Sequence, residues 1–435
     1  MPRLLWIISI FACLAGCPQT KPLETTAKST LSEAARPPLR ILVMSEDSWS
    51  DAISRRWQSI SEQRLDVQTM TADEMISSTS LNADIFILES QWLPTIVERG
   101  WISPLPKSIL ESATAWPSGS SNSNLRQNAW PLVWRQSATY GQRLWGIPLG
   151  VPMLAIVNQT DSQSTPTTTW RERVAQRKPR SLDNALRDEK QSVSNSYLLD
   201  RFLVIAASLN PSPDDAGFLF NINSGQARLH ETWLLEAATL FGQLYEDRLE
   251  SAIMLPESAW EYAAAKKSDW ALAWPSSTGN SPLAVQAPER WVDTGRGLVA
   301  TSTTKNRQSG PANRFLIWLD EDAQRQEFAS LGAAIQSTPE RWTSATERVD
   351  VNRYRELMKN AFDDRFVVRE LRFAGSLPYR QRLAEALQAI VKEPPRAEVE
   401  LKRCAADWDE MTAKIGRDIQ KRQLARAFEL EAYRE

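Results

Sequence analysis

Residues 84–92 read DIFILESQW: consecutive apolar side chains from Ile85 to Leu88, opened by Asp84 and followed at once by a carboxylate, a hydroxyl, an amide and an indole. The run is too short for a helix and apolar at successive positions, the pattern of a strand buried on both faces. Upstream, Ile41 to Met44 (ILVM) has the same character. Between the two, Trp49 to Gln63 sets Ala52, Ile53, Trp57 and Ile60 at helical spacing, and Leu65 to Met70 alternates like a strand. Strand, helix and strand at this spacing predict βαβ units of a parallel sheet, whose ligands bind off the carboxyl ends of the strands. Residues 89–92 are thus both the end of a strand and the first place to look for ligand contacts.

Farther along, Tyr140 to Val157 (YGQRLWGIPLGVPMLAIV) reads as two short strands joined through Pro148 and Pro152, whose rings fix φ. Arg228 to Tyr245 is a long helical pattern with Leu229, Trp233, Ala237, Phe241 and Leu244 on one face. Trp270 to Trp274 and Gly297 to Thr301 read as strands, Pro311 suits a helix start before Phe315, Leu316 and Leu319, and the chain from Pro378 onward is almost wholly helical. Residues 160–195 are polar and give no clear pattern, and no internal repeat is visible.

The first residues bear on compartment. Arg3, the apolar stretch Leu4 to Leu14, and Ala15-Gly16 before Cys17 make a basic n-region, a short h-region and a small-residue cleavage site, too short to span a bilayer as a stable helix. Leu14-Ala15-Gly16-Cys17 resembles the bacterial lipobox, which implies removal of residues 1–16 and lipid on Cys17. Residues 17–38, polar and Pro-containing, read as a flexible tether. Of three cysteines, Cys13 falls in the removed peptide and Cys17 carries lipid, leaving Cys404 alone and no disulfide in the mature chain. With 435 residues and 42% hydrophobic content the chain is long enough for two cores. The formal charge of -2, with no basic run, argues against nucleic acid as a partner.

Taken in order, several segments resemble a known family. Asp84 to Gly100 is similar, without a gap, to the second sheet segment and following helix of the family 1 extracellular solute-binding proteins. Leu144-Trp-Gly-Ile-Pro-Leu-Gly-Val-Pro152 resembles that family's strand crossing into the second domain, and Ala271-Leu-Ala-Trp-Pro275 the strand lining the cleft from the far side. Gly295 to Lys305 with Ala312 to Leu319 looks like the return strand and its helix. The resemblance runs from about Arg40 to about Ile415. It implies an α/β chain with the type 2 periplasmic-binding-protein fold: two discontinuous α/β domains joined by a hinge, one formed by residues 39–149 and 298–345, the other by 150–297 and 346–435. It further implies an extracytoplasmic monomer that captures a solute and delivers it to the permease subunits of an ABC importer, with no cofactor. Pro152 stands where the maltose-binding member of the family carries a carboxylate toward its sugar, which points away from maltose itself.

Carboxylates and amides bind pairs of adjacent hydroxyls, and aromatic rings receive the C–H face of a sugar. That chemistry, at strand ends and at matched positions, selects Ser45, Glu46, Asp47, Trp49, Glu89, Gln91 and Trp92 from the first domain and Tyr197 and Trp274 from the second, for a sugar or polyol. Each has a plainer reading. The chain has 18 tryptophans, most of which must be structural, and Asp47 suits the cap of the helix near Trp49. Glu89 stands out because a charge directly after a buried strand needs a partner. Two other tasks fit the same residues: a ligand sensor or scaffold on this fold, or a hydrolase pairing Glu89 with Glu46 or Asp47. Nucleophile and metal chemistry are poorly served, since His230 sits in a helical pattern, no Gly-x-Ser-x-Gly occurs, and Cys404 has no partner. No enzyme activity and no metal are expected.

Overall fold

The computed structural model describes residues 37–44, 49–106, 109, 133, 137–159, 169–175, 196–211, 217–246, 249–265, 270–276, 283–320, 348–363, 367–369 and 371–432. The predicted βαβ opening is present: β1 (Leu39–Val43), α1 (Trp49–Gln58), β2 (Leu65–Thr69), α2 (Ala72–Ser77) and β3 (Ile85–Glu89) follow one another. β1 lies between β2 and β3 and is parallel to both. The sheet continues antiparallel through β11 (Leu298–Ser302) to β6 (Ile147–Gly150), giving the order β2-β1-β3-β11-β6.

Alternate residues of this sheet feed two cores, as the period of two requires. Ile41, Val43, Ile85 and Ile87 pack with Ile53 and Trp57 of α1 and with Phe315, Trp318 and Leu319 of α9 (Ser309–Asp320). Leu42, Phe86 and Leu88 face the other way, into a core with Leu93, Ile96 and Val97 of α3 (Leu93–Glu98). Asp84, wholly buried, closes the lower edge. Its carboxylate accepts hydrogen bonds from the Arg40 backbone (3.0 Å), Arg40 Nε (3.1 Å) and Nη2 (2.8 Å), and the Arg307 backbone (2.9 Å).

α1 ends five residues earlier than its periodicity suggests, at Gln58 rather than Gln63. The N–H groups of Ser59, Ile60 and Ser61 turn back onto the carbonyls of Arg56 and Trp57, and Trp57 Nε1 donates to Gln63 O at 2.8 Å. Ile60 is therefore 56% exposed instead of lying on the buried face.

The 140–157 stretch resolves into more strands than its pattern suggests: β4 (Thr139–Tyr140) and β5 (Arg143–Leu144) pair with each other, β6 belongs to the first sheet, and β7 (Ala155–Gln159) starts a second. β7 is the centre of that sheet, antiparallel to β8 (Trp270–Ala273) on one side and β9 (Leu283–Gln286) on the other. Pro148 lies within β6, and Pro152 lies in the link between the two sheets. A short parallel ribbon joins β10 (Trp291–Asp293) to β12 (Val367–Arg369).

Helices cover the second sheet: α4 (Trp170–Ala175), α5 (Ser196–Leu209), α6 (Thr232–Tyr245), α7 (Leu249–Ile253), α8 (Pro256–Ala264) and α10 (Val349–Asp363). The helical C-terminal part forms α11 (Leu377–Lys392), α12 (Ala397–Ile415) and α13 (Arg417–Ala427), with α11 packed on α5, α6 and α12. α6 begins at Thr232 rather than Arg228, because Arg228 pairs with Glu231 and the preceding turn is held by the Phe220–Ala227 bridge. Phe220, Phe373, Tyr379 and Trp408 fuse the base of this region, with Phe220 stacked on Trp408 at 4.8 Å. Cys404 is buried nearby, and burial pushes its thiol up to about 12, so it is not a reactive group. Among the described residues no helix is long and apolar enough to cross a membrane.

Candidate functional site

The two sheets meet where β3 ends. After Glu89 the chain enters a 3₁₀ turn, Ser90–Trp92, leading into α3, and the turn's N–H groups need acceptors. Ser90 N donates to Gly297 O at 2.6 Å and Gln91 N to Gly295 O at 2.9 Å, so the link between β10 and β11 is fastened to the strand end. Gly295 has φ +81°, and a Cβ there would sit 2.6 Å from Gln91 Cβ. Only glycine satisfies both conditions.

The residue after that glycine organises the site. Arg296, 8% exposed, donates from Nε to Asp200 Oδ2 at 2.8 Å and from Nη1 to both Glu89 oxygens at 3.3 Å. Its guanidinium carbon lies 4.5 Å from the centre of the Tyr197 ring, a cation–π contact. Burial works against the charge on Arg296, but the facing charges of Asp200 and Glu89 outweigh it and the guanidinium holds its proton more tightly than usual. On its far side Asp200, fully buried in α5, stands 3.6 Å from Arg380 of α11. Burial lowers the pKa of Arg380 to about 10, with Asp200 opposing the shift.

Two rings extend this assembly. Tyr197 meets Trp274 edge to face, 6.4 Å between centres, just past the end of β8. Trp274 is 3% exposed, and its indole N–H has no acceptor among the described residues. On the first-sheet side the Gln91 amide donates to Glu89. Behind the turn, Arg372 donates from Nε to Ser90 O at 2.9 Å and from Nη2 to Ser137 O at 2.6 Å.

The structure thus brings Glu89, Gln91, Tyr197 and Trp274 into one connected group. Trp92 is nearby in sequence and 7% exposed, in the hydrophobic core with Leu93 and Ile96; Trp274 belongs to the same core cluster and joins the group through Tyr197. Ser45, Glu46 and Asp47 lie outside the described residues; Trp49 begins α1, with its side chain likewise outside them. Arg296 and Asp200 were missed by sequence reasoning. The available signal was Asp293-Thr-Gly-Arg-Gly297, a lone cation between glycines just before a strand, where the carboxylate at Glu89 needed a partner.

Chemically the group offers a partly open carboxylate, Glu89 at 24% side-chain exposure, oriented by an amide and a guanidinium, beside aromatic surface. This suits recognition of hydroxyl groups. The other carboxylate of the group, Asp200, is completely covered and committed to Arg296, and the pairing of Glu89 with Glu46 or Asp47 falls outside the described residues.

Solved structures with this architecture are numerous. A maltose-bound MalE3 of T. maritima superposes with a TM-score of 0.60 at 11% identity, over 86% of this chain and 99% of that one. The fold is that of the type 2 periplasmic-binding proteins. An ABC transporter solute-binding protein of Thermotoga lettingae TMO bound with alpha-D-tagatose gives 0.59 at 12% identity, over 86% and 99% of the two chains. One from Agrobacterium radiobacter K84 in complex with ribitol gives 0.58 at 12%, over 86% and 98%. No protein-family profile and no curated protein matches the sequence. The site described here lies beside the β10–β11 link, residues 294–297, where Gly297 abuts Gly150 and Val151 at the start of the β6–β7 link.

Proposed function

We propose that this chain is a solute-binding protein of an ABC importer, held at the outer side of a membrane by lipid on Cys17, that captures a sugar or polyol between two lobes. The observation that carries this reading is the convergence of Glu89 and Gln91, from the end of the first sheet, with Arg296, Tyr197 and Trp274, which belong to the crossing link and the second sheet's layer. A ligand touching both groups favours the closed arrangement by its differential affinity for it. Structural neighbours described as bound to maltose, tagatose and ribitol support the ligand class.

The lobes are residues 39–149 with 298–345, and 150–297 with 346–435. The strand inventories support this division: β1, β2, β3, β6 and β11 in one sheet and β7, β8 and β9 in the other. The links at 151–154 and 294–297 are the hinge. The lipobox-like Leu14 to Cys17 and the polar segment after it support the anchor and tether, and the protein acts as a monomer handing its ligand to permease subunits.

A thermal-shift screen of sugars and polyols tests the reading. A ligand at 100 times its dissociation constant stabilises the folded protein by about 2.7 kcal/mol. At least one member of the panel should raise the unfolding midpoint, whereas a flat response across the panel, or release of hydrolysis products from oligosaccharides, would count against it.

A further inference from the structure

A second feature lies on the same helix as Tyr197 and Asp200. Arg201, on α5 next to Asp200 in sequence, is 1% exposed. Two other buried guanidinia meet facing charge: Arg296 has Asp200 and Glu89, and Arg380 has Asp200, whereas Arg372 is clamped by carbonyls from both of its donating nitrogens. Arg173 has the faces of Trp170 and Trp270 together with the side-chain oxygens of Asn158 and Gln286. Arg201 forms no ion pair with any described carboxylate. Its Nη1 donates to Ala252 O at 2.7 Å and reaches Tyr197 O at 3.5 Å, and its Nη2 has no partner. The side chains of Tyr245, Asp200, Tyr197 and Glu257 act on it only electrostatically, and Asp200 is already engaged by Arg296. Burial accordingly pushes the Arg201 pKa down, the mark of a cation short of compensation.

Arg201 lines a small cavity enclosed by α5, α6, α7, α8 and β8. Tyr245, Ser251 and Tyr262 add polar groups to its wall, and Trp270 and Leu272 add apolar surface. The cavity measures about 20 Å³, room for one particle of water or halide size and too little for a sugar, sulfate or phosphate. A buried cation needs an opposite charge more than it needs a neutral dipole. We propose that this cavity is a structural anion site in which Arg201 holds a single chloride-sized ion, locking α5 to α7 and α8.

The full-length protein, exchanged into gluconate at constant ionic strength and titrated with sodium chloride, should show a saturable rise in unfolding midpoint. Arg201→Met should weaken the apparent chloride affinity at least tenfold or abolish the response. A non-saturable rise, or an equal response in Arg201→Met, overturns the proposal. Should that variant fail to fold, bromide-soaked crystals of the wild-type protein decide the question. An anomalous peak within hydrogen-bond distance of the Arg201 guanidinium supports the site, and its absence at saturating bromide refutes it.

Discussion

Replacing Asp200 by Asn tests the ionic network that joins α5 to the lobe junction. Asp200 is wholly buried, accepts from Arg296 Nε at 2.8 Å and faces Arg380 at 3.6 Å. After the substitution Arg296 keeps Glu89 at 3.3 Å, whereas Arg380 loses the carboxylate it faces. Removing one member of a buried charge group costs about 3–5 kcal/mol, most of it the penalty of the charge left behind. With an m-value of about 3 kcal/mol per molar in urea, the unfolding midpoint should fall by roughly 1 M or more. Adding Arg380→Met removes the stranded cation, so the double variant should recover about 1 kcal/mol or more relative to the sum of the singles. A loss under about 1 kcal/mol for Asp200→Asn, or strict additivity in the cycle, would refute the idea that the two arginines depend on this carboxylate.

Asp84 gives a pH dependence. Burial pushes its carboxyl up, but hydrogen bonds from Arg40 and the Arg307 backbone bring it below the ordinary carboxylate value. Its contribution is complete above about pH 4 and is lost as the pH falls through the lowered folded value, so Asp84→Asn should flatten the acid limb of stability measured by urea midpoints between about pH 2 and 6. Gly295→Ala places a Cβ 2.6 Å from Gln91 Cβ at a φ of +81°, and should destabilise the fold and weaken solute binding together, read by calorimetry and titration. Cys17→Ser should move the protein from the membrane to the soluble fraction, since stable anchoring needs the acyl chains; unchanged partitioning would sink the lipoprotein reading.

β1 and β3 were legible because each contains a continuous apolar run, Ile41–Val43 and Ile85–Leu88, and the structure buries every residue of those runs. The ends of α1 and α6 were not, because Ile60 and Leu229 continue a helical spacing that turns interrupt with hydrogen bonds invisible to periodicity. β10 and β12, three residues each, are too short to carry a period. At the site, Glu89 announced itself as a charge at a strand end, and Tyr197 and Trp274 came only through resemblance to a family. Arg296 stayed hidden because its partners are 96 and 207 residues away in sequence, and no local pattern encodes such a pairing. Trp92 and Trp274 show the limit of residue type: the same indole that suits a sugar also suits the core, and at 7% and 3% exposure both pack with the same core cluster, Trp274 being tied to the site by its contact with Tyr197.

The central claim, solute capture at the junction of the sheets, is tested most directly by calorimetric titration. The best sugar or polyol from the thermal screen would be titrated into wild-type protein and into Glu89→Ala, in which the partly open Glu89 carboxylate is removed and Arg296 retains Asp200. Loss of a charged hydrogen-bonding partner should weaken binding by about 2–3 kcal/mol, a factor of roughly 30 to 150, while the unfolding midpoint of the free protein falls less than in Asp200→Asn, because Arg296 keeps Asp200 at 2.8 Å. Undiminished affinity in a folded Glu89→Ala would place the solute elsewhere and contradict the account.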